Sequence, residues 1–428
     1  MDAPQSLFST SNTTVINHPT IHHILSGSFR SLSLFLLAFS PIHRTLSLVQ
    51  TIDAFGPHQY LALNTRKDRA YTTSWALPPT LASWEIERPA VEGWRVNHVN
   101  SVPITATSSY ITIPPPHTHI YSAGGPTGEV HVLNSATGGF GEKIQQILFV
   151  PEGQLESADK TRVALVCTHT CSVDPHLRLV QRYGSHGVEF SSPTAHAFIP
   201  VLGTDSIEMY MHDPLTGLLT HMYSAPSPRG PDAHDGPRHV KIHPNGKILY
   251  CVTEHTNFVD SYSINSSSLS YLSSRSLLPV NTKEISRFRG DTLLLAPSTA
   301  NQPTPLTLFA TTRGATTETK GWLSVFSLNT DGSFSTEEVH YETTTSGGKA
   351  NAIDLLPKST SETSEDGIWV LLTDDDDSAA EQGNGVRVLE WDGWSGGLKE
   401  VAGWPSPDEE IIPSEKRMAG GSHALWLD

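Results

Sequence analysis

The chain has 428 residues, only 17% of them charged, and a formal net charge of −16, so no general surface for nucleic acid or an anionic membrane is expected. Its 32 glycines and 30 prolines suit short strands and turns better than long helices. The three cysteines, Cys167, Cys171 and Cys251, cannot build a disulfide framework and point to a reducing compartment, taken as the cytoplasm.

Residues 1–18 are polar and read as a loose tail, in which the sequon Asn12-Thr13-Thr14 has no role in the cytosol. The apolar run SLSLFLLAFSP (31–41) is too short to span a bilayer, which takes about 20 residues, and starts too late for a signal-peptide core. It reads as a buried strand. A short motif then recurs: GPHQYLA (56–62), a weaker SSYITIP (108–114), GSHGVEF (184–190), GPRHVKI (236–242), RFRGDTL (287–293), GGKANAI (347–353) and GSHALWL (421–427). Its third residue is in turn His58, Tyr110, His186, Arg238, Arg289, Lys349 and His423. The intervals 58–110, 186–238 and 238–289 are 52, 52 and 51 residues, and the others are longer, with loop insertions.

The fourth copy displays the unit. In GPRHVKIHPNGKILYCVTEHTN (236–257), Val240, Ile242, Ile248, Tyr250 and Val252 alternate around the tight turn Pro244-Asn245-Gly246, which predicts a hairpin. SIEMYMHDPLTGLLTHM (206–222) and GWLSVFSLNTDGSFSTEEV (321–339) are less regular outer pairs. Four short strands about every 50 residues predict a β-propeller blade, and seven openings predict seven blades. The expected fold is therefore all-β, a single seven-bladed β-propeller over residues 19–428. Its last blade joins the C-terminal GSHALWLD to N-terminal strands from 22–50, which removes the last exposed edge.

First strands of blades line the central channel, so the seven third positions should ring one mouth. Six of the seven are cation-capable, and the mouth is expected to bind an anion. The antiparallel second strands return there, bringing Trp75, Gly124-Gly125, Leu202, Glu254, Arg313 and Asp374. Glu254 is a carboxylate among cations. If ionised it is held by Arg238 or Arg313; displaced by a bound anion, it can donate a proton.

GSHGVEFSSPT, GPRHVKIHPNGKILYCVTEHTN, RFRGDTLLLAPS with LFATTRG, and TTTSGGKANAI resemble the corresponding blades of the seven-bladed lactonase family, most closely its carboxy-cis,cis-muconate cyclases. The resemblance runs in order from about His22 to Asp428, terminal SHALWLD included. It implies a cofactor-free intramolecular lyase of aromatic-compound catabolism, acting on a small polycarboxylate and requiring neither metal nor redox cofactor. Carried over by motif, the catalytic residues are His186, Arg238, Glu254 and Arg313. Fixed guanidinium groups suit this chemistry because charge spreads onto a second carboxylate as the lactone closes. Arg289, Lys349, His58 and His423 are further substrate-binding candidates, and either His186 or Glu254 delivers the proton.

Each assignment has a plainer rival. His58 and His423 can simply cap neighbouring backbone, and Arg238 with Glu254 can be a structural ion pair. The run Asp374–Asp377 lacks the spacing and glycine of a calcium loop and reads as a solvated loop, while His239, His243 and His255 read as turn and surface residues. Cys167, His169, Cys171 and His176 do not have the spacing of a common zinc module, so no metal is expected. Their segment, 166–181, is foreign to the pattern, and its removal leaves TRVALRYGSHGVEF, a normal approach to the blade. Its whole-codon length and GT- and AG-compatible ends favour an unspliced intron over a variable loop. Two further functions stay open: hydrolysis of a lactone, as in 6-phosphogluconolactonase-like enzymes, and a non-catalytic scaffold, which has no need of a cationic mouth.

Overall fold

Alternating apolar segments divided by glycine and proline turns fold into seven four-stranded antiparallel sheets. The computed structural model describes residues 21–75, 77–89, 93–158, 160, 184–300, 302–359, 367–376, 385–405 and 418–428. The tail at 1–18, the segment 166–181 and Asp377 lie outside them. The only α-helix among the described residues is the single turn Gly393–Gly396, and no helix there is long and apolar enough to cross a membrane.

The hairpin of blade four shows how local sequence sets the architecture. Pro237–Ile242 pairs with Ile248–Thr253, Val240 opposite Cys251 and Ile242 opposite Leu249. The turn closes through Gly246, whose φ of 70° is open to glycine and whose N–H donates to the His243 carbonyl at 2.9 Å. The first strands of blades one to seven are His58–Leu63, Tyr110–Thr112, Glu189–Ser191, Pro237–Ile242, Phe288–Leu295, Ile353–Pro357 and Ala424–Trp426. They follow one another around the channel. Second strands end at Ser74, Gly124, Val201, Thr253, Gly314 and Thr373, each within a residue of the expected mouth position.

Blade seven is composite. Ala424–Trp426 pairs with His22–Ser26, which is followed by Ser33–Ser40 and Thr45–Asp53. The apolar run at 31–41 supplies the buried third of these. The core lies in the wedges between blades. Phe39, Trp369, Trp404 and Trp426 fill the wedge between blades six and seven, each aromatic ring removing about 150–250 Å² from water.

Bulges interrupt the first strands of blades one, four and five near the mouth, between His58 and Leu61, Pro237 and His239, and Gly290 and Leu293. A bulge adds an unpaired residue and re-aims the side chains around it. In blade four the extra residue is Arg238; in blade five Asp291 and Thr292 stand opposite Thr311. The freed N–H groups are satisfied by threonines of the second strand: Tyr60 donates to Thr73 Oγ1 at 3.0 Å and Thr292 to Thr311 Oγ1 at 3.2 Å.

Candidate functional site at the channel mouth

Blades four, five and six meet around one buried carboxylate. Glu254 follows the second strand of blade four, and its carbonyl accepts the Gly290 N–H of blade five at 3.0 Å. That approach requires glycine, because a Cβ at position 290 would stand 2.1 Å from the Thr253 carbonyl oxygen. The backbone seam brings the two bulges together. Arg238 Nη1 donates to Glu254 Oε2 at 2.7 Å, its Nη2 lies 2.6 Å from Asp291 Oδ1, and its Nε donates to the Asp291 carbonyl at 3.1 Å. From the other side Arg313 Nη2 donates to Glu254 Oε1 at 3.0 Å, and its Nη1 reaches the Gly348 carbonyl at 3.4 Å. Arg313 Nε lies 3.9 Å from Asp291 Oδ1 and has no hydrogen-bond partner among the described residues. Asp291 in turn accepts the Asn351 N–H of blade six at 2.6 Å.

This quartet is electrically balanced, two guanidinium groups against two carboxylates. Burial alone would raise the Glu254 pKa, but the charges of Arg238 and Arg313 outweigh it and hold the carboxyl well below the usual range. Glu254 is thus ionised in this arrangement. Arg238 is itself deeply buried, which favours its neutral form, yet Asp291 and Glu254 more than compensate and raise its pKa. Arg313, with a side chain 20% exposed, is the more accessible guanidinium. His186 is buried in the loop before the first strand of blade three. The backbone of the next residue, Gly187, runs beside blade four, since a Cβ there would lie 3.3 Å from the Arg238 carbonyl oxygen.

The remaining expected residues are placed differently from one another. Arg289 is half-buried, with Nη1 donating to the carbonyls of Ser286 and Phe288. Lys349 follows Gly347 and Gly348, both at positive φ, and carries its ammonium 5.7 Å over the Phe29 ring. His58 and His423 do not contribute cations. Burial lowers both to a pKa of about 3, His423 being pushed further by Lys241, so both are neutral near pH 7. His423 is a wall residue, its Nδ1 accepting the Leu61 N–H at 3.3 Å and its ring stacked on Tyr60 at 3.8 Å. Of the cation-capable candidates, His58 and His423 thus drop out, leaving Arg238, Arg313, Arg289, Lys349 and His186.

Three expectations are corrected. Asp374, Asp375 and Asp376 do not form a solvated run but are buried, tied to Arg387 and Thr345, to Arg30, and to Ser346 respectively. His239 and His243 are buried, not surface groups, although His243 does open the turn that Gly246 closes. His255 does stand in a turn, half-buried, with Nδ1 2.9 Å from the His234 carbonyl oxygen. Sequence reasoning also missed Asp291 and the channel wall beneath the mouth. There Tyr60 stacks on Tyr110 at 4.1 Å, and the Lys241 ammonium bonds both the Tyr110 hydroxyl, at 3.0 Å, and Glu189. Spacing two apart on one strand, in His239 and Lys241, was the available signal for a shared face.

Seven blades, a composite last blade and paired guanidinium groups around one carboxylate define a seven-bladed β-propeller with a charged cluster at the ends of its inner strands. The chain belongs to the lactonase family of seven-bladed β-propellers, whose model matches residues 24–300. It is 30% identical over 342 residues to muconate cycloisomerase 1 of Cutaneotrichosporon cutaneum, covering 79% of this chain and 84% of that protein. It is 27% identical over 195 residues to the carboxy-cis,cis-muconate cyclase of Neurospora crassa, covering 45% of this chain and 50% of that protein. The solved periplasmic gluconolactonase of Pseudomonas aeruginosa aligns with a TM-score of 0.65 at 17% identity, over 90% of this chain and 98% of that one. A Bacteroides uniformis structure assigned as a 6-phosphogluconolactonase aligns with a TM-score of 0.66 at 15% identity, over 95% and 99%. At such identities the two structures speak for the fold alone.

Proposed function

We propose that the protein interconverts 3-carboxy-cis,cis-muconate and its lactone, carboxymuconolactone, using side chains alone. The observation that carries this reading is the pair of guanidinium groups fixed on opposite oxygens of Glu254. Such a clamp is preorganised for carboxylates, and Arg313 has exposed surface to offer one. The names of the two cyclase relatives support the same substrate class.

In the forward step a substrate carboxylate oxygen forms the ring C–O bond. The double-bond electron pair moves to the neighbouring carbon and the carboxylate conjugated with it, where Arg238 and Arg313 stabilise the growing charge. That carbon then takes a proton from His186, which recovers one from water, so the trianion becomes a dianionic lactone with the uptake of one proton. Glu254, ionised between two arginines, is a poor donor and acts as the group that spaces and orients them. The same low basicity makes it a poor base for activating water, which counts against lactone hydrolysis through Glu254.

The test is to offer the purified protein 3-carboxy-cis,cis-muconate and follow loss of diene absorbance, with 6-phosphogluconolactone hydrolysis run in parallel. Diene loss that survives chelator treatment supports the reading. Hydrolysis without diene loss, or activity restored only by added metal, overturns it.

A further inference from the structure

The blade-four bulge re-aims two consecutive residues, and only the first is used by the site so far described. Next to Arg238, the His239 ring stands 5.2 Å from Tyr110 and 5.9 Å from Tyr60, its plane steep to both at 66° and 81°. It is 5% exposed, and no hydrogen bond to its ring nitrogens is found among the described residues. Its nitrogens are not among the buried side-chain atoms that lack a partner, so they keep contact with the channel space rather than being sealed in the core. Tyr60 and Tyr110 fix the plane of the ring without consuming its N–H. Arg238 and Glu254 are both close enough to act on it electrostatically. The imidazole therefore lies at the edge of the clamp, on the side of the channel, with its hydrogen-bonding capacity unspent.

Resting on the cyclase reading above, we infer that His239 is a further catalytic residue: its ring N–H donates a hydrogen bond to the substrate carboxylate on which negative charge develops as the lactone C–O bond forms. The electron pair displaced from the double bond is delocalised into that carboxylate as an enediolate, and the hydrogen bond strengthens as it arrives. No proton leaves His239; the carbon is protonated by His186. Burial, followed by the charges of Arg238 and Lys241, keeps the His239 ring neutral. A neutral imidazole serves as an electrophile in this way because it offers an N–H without adding a third buried cation to the clamp. Arg238 and Arg313 hold carboxylates already in the ground state and more strongly in the transition state, whereas the His239 bond belongs mainly to the transition state.

The experiment compares His239→Phe, which keeps the ring against Tyr60 and Tyr110 but has no N–H, with His239→Gln, which restores a donor. Removing one such donor is expected to lower kcat by about 10²–10³-fold. KM should stay within about threefold of the parent, and Gln should recover at least about tenfold over Phe. A Phe variant with kcat within about threefold of the parent, or a folded Gln variant no faster than Phe, overturns the role. Should Phe not fold, the comparison passes to Gln against His239→Leu, of similar length without the N–H, and equal kcat overturns it. A parent that turns over no carboxymuconate sinks the cyclase reading and this role with it; an active parent with unaffected variants sinks the role alone.

Discussion

Replacing Arg238 with methionine separates what the clamp does for stability from what it does for binding. Arg238 is 5% exposed and holds Glu254 at 2.7 Å and Asp291 at 2.6 Å. Without it the two buried carboxylates share only Arg313, at 3.0 Å and 3.9 Å. Breaking a buried pair costs about 3–5 kcal/mol. An unfolding entropy of about 2.1 cal/mol/K per residue amounts to about 0.9 kcal/mol/K for this chain, so Tm should fall by about 3–6 °C near pH 7. The pH dependence has a definite sign. Although burial acts to raise it, the Glu254 pKa is lowered in the folded state by Arg238 and Arg313. Its contribution is full above the unfolded carboxylate pKa, about 4.3, and is lost as pH falls through the folded value. The gap between parent and variant should therefore be widest at neutral pH and shrink in acid. The double variant Arg238→Met/Glu254→Met leaves Arg313 with Asp291 and should recover most of the lost stability. Neither variant should show the Tm rise that citrate-like tricarboxylates give the parent. Scanning calorimetry with and without citrate reads all of these. A loss below about 1 kcal/mol in the single variant, a double variant no more stable than the single, or an undiminished citrate shift would refute the reasoning.

Steady-state kinetics on carboxymuconate should divide the remaining site residues: Arg313→Met raises KM as well as lowering kcat, whereas His186→Asn lowers kcat by about 10²–10⁴-fold with little change in KM and abolishes the basic limb of the pH–rate profile. Gly290→Ala should lower Tm and activity together, because its Cβ would sit 2.1 Å from the Thr253 carbonyl oxygen in the seam that carries Asp291 to Arg238; an alanine variant with parental Tm would contradict that packing. Deleting 166–181 should leave solubility and turnover unchanged or improved, and loss of soluble protein would show that the segment contributes to the fold.

The blades were legible because their signal is periodic and local. Strand alternation, the Pro-Asn-Gly turn and the recurring opening are all visible in a linear string, and the composite seventh blade follows from counting openings. The charge states were not. His58 looks like His186 in sequence, yet burial makes it neutral. The acidic run at 374–376 looks solvated, yet Arg30 comes to it from blade seven and Arg387 from the next strand of its own blade. Asp291 escaped because the recurring opening put Arg289 at the mouth position, whereas it is Asp291, in the bulge two residues on, that meets Arg238. Arg238 was found by motif, while His239 one residue later was passed over, since alternation assigns neighbours to opposite faces.

The pairing of Ala424–Trp426 with His22–Ser26 also sets a timetable for the polypeptide. Asp428 accepts the His23 N–H from 405 positions away, so the ring cannot latch until the last residues of this sequence have emerged from the ribosome. Until then six blades can form in order while the strands of the seventh wait with one edge open, and proteases or chaperones meet that edge first. A nonsense codon anywhere from position 419 to 424 would remove under three per cent of the residues and yet leave the ring without its closing strand.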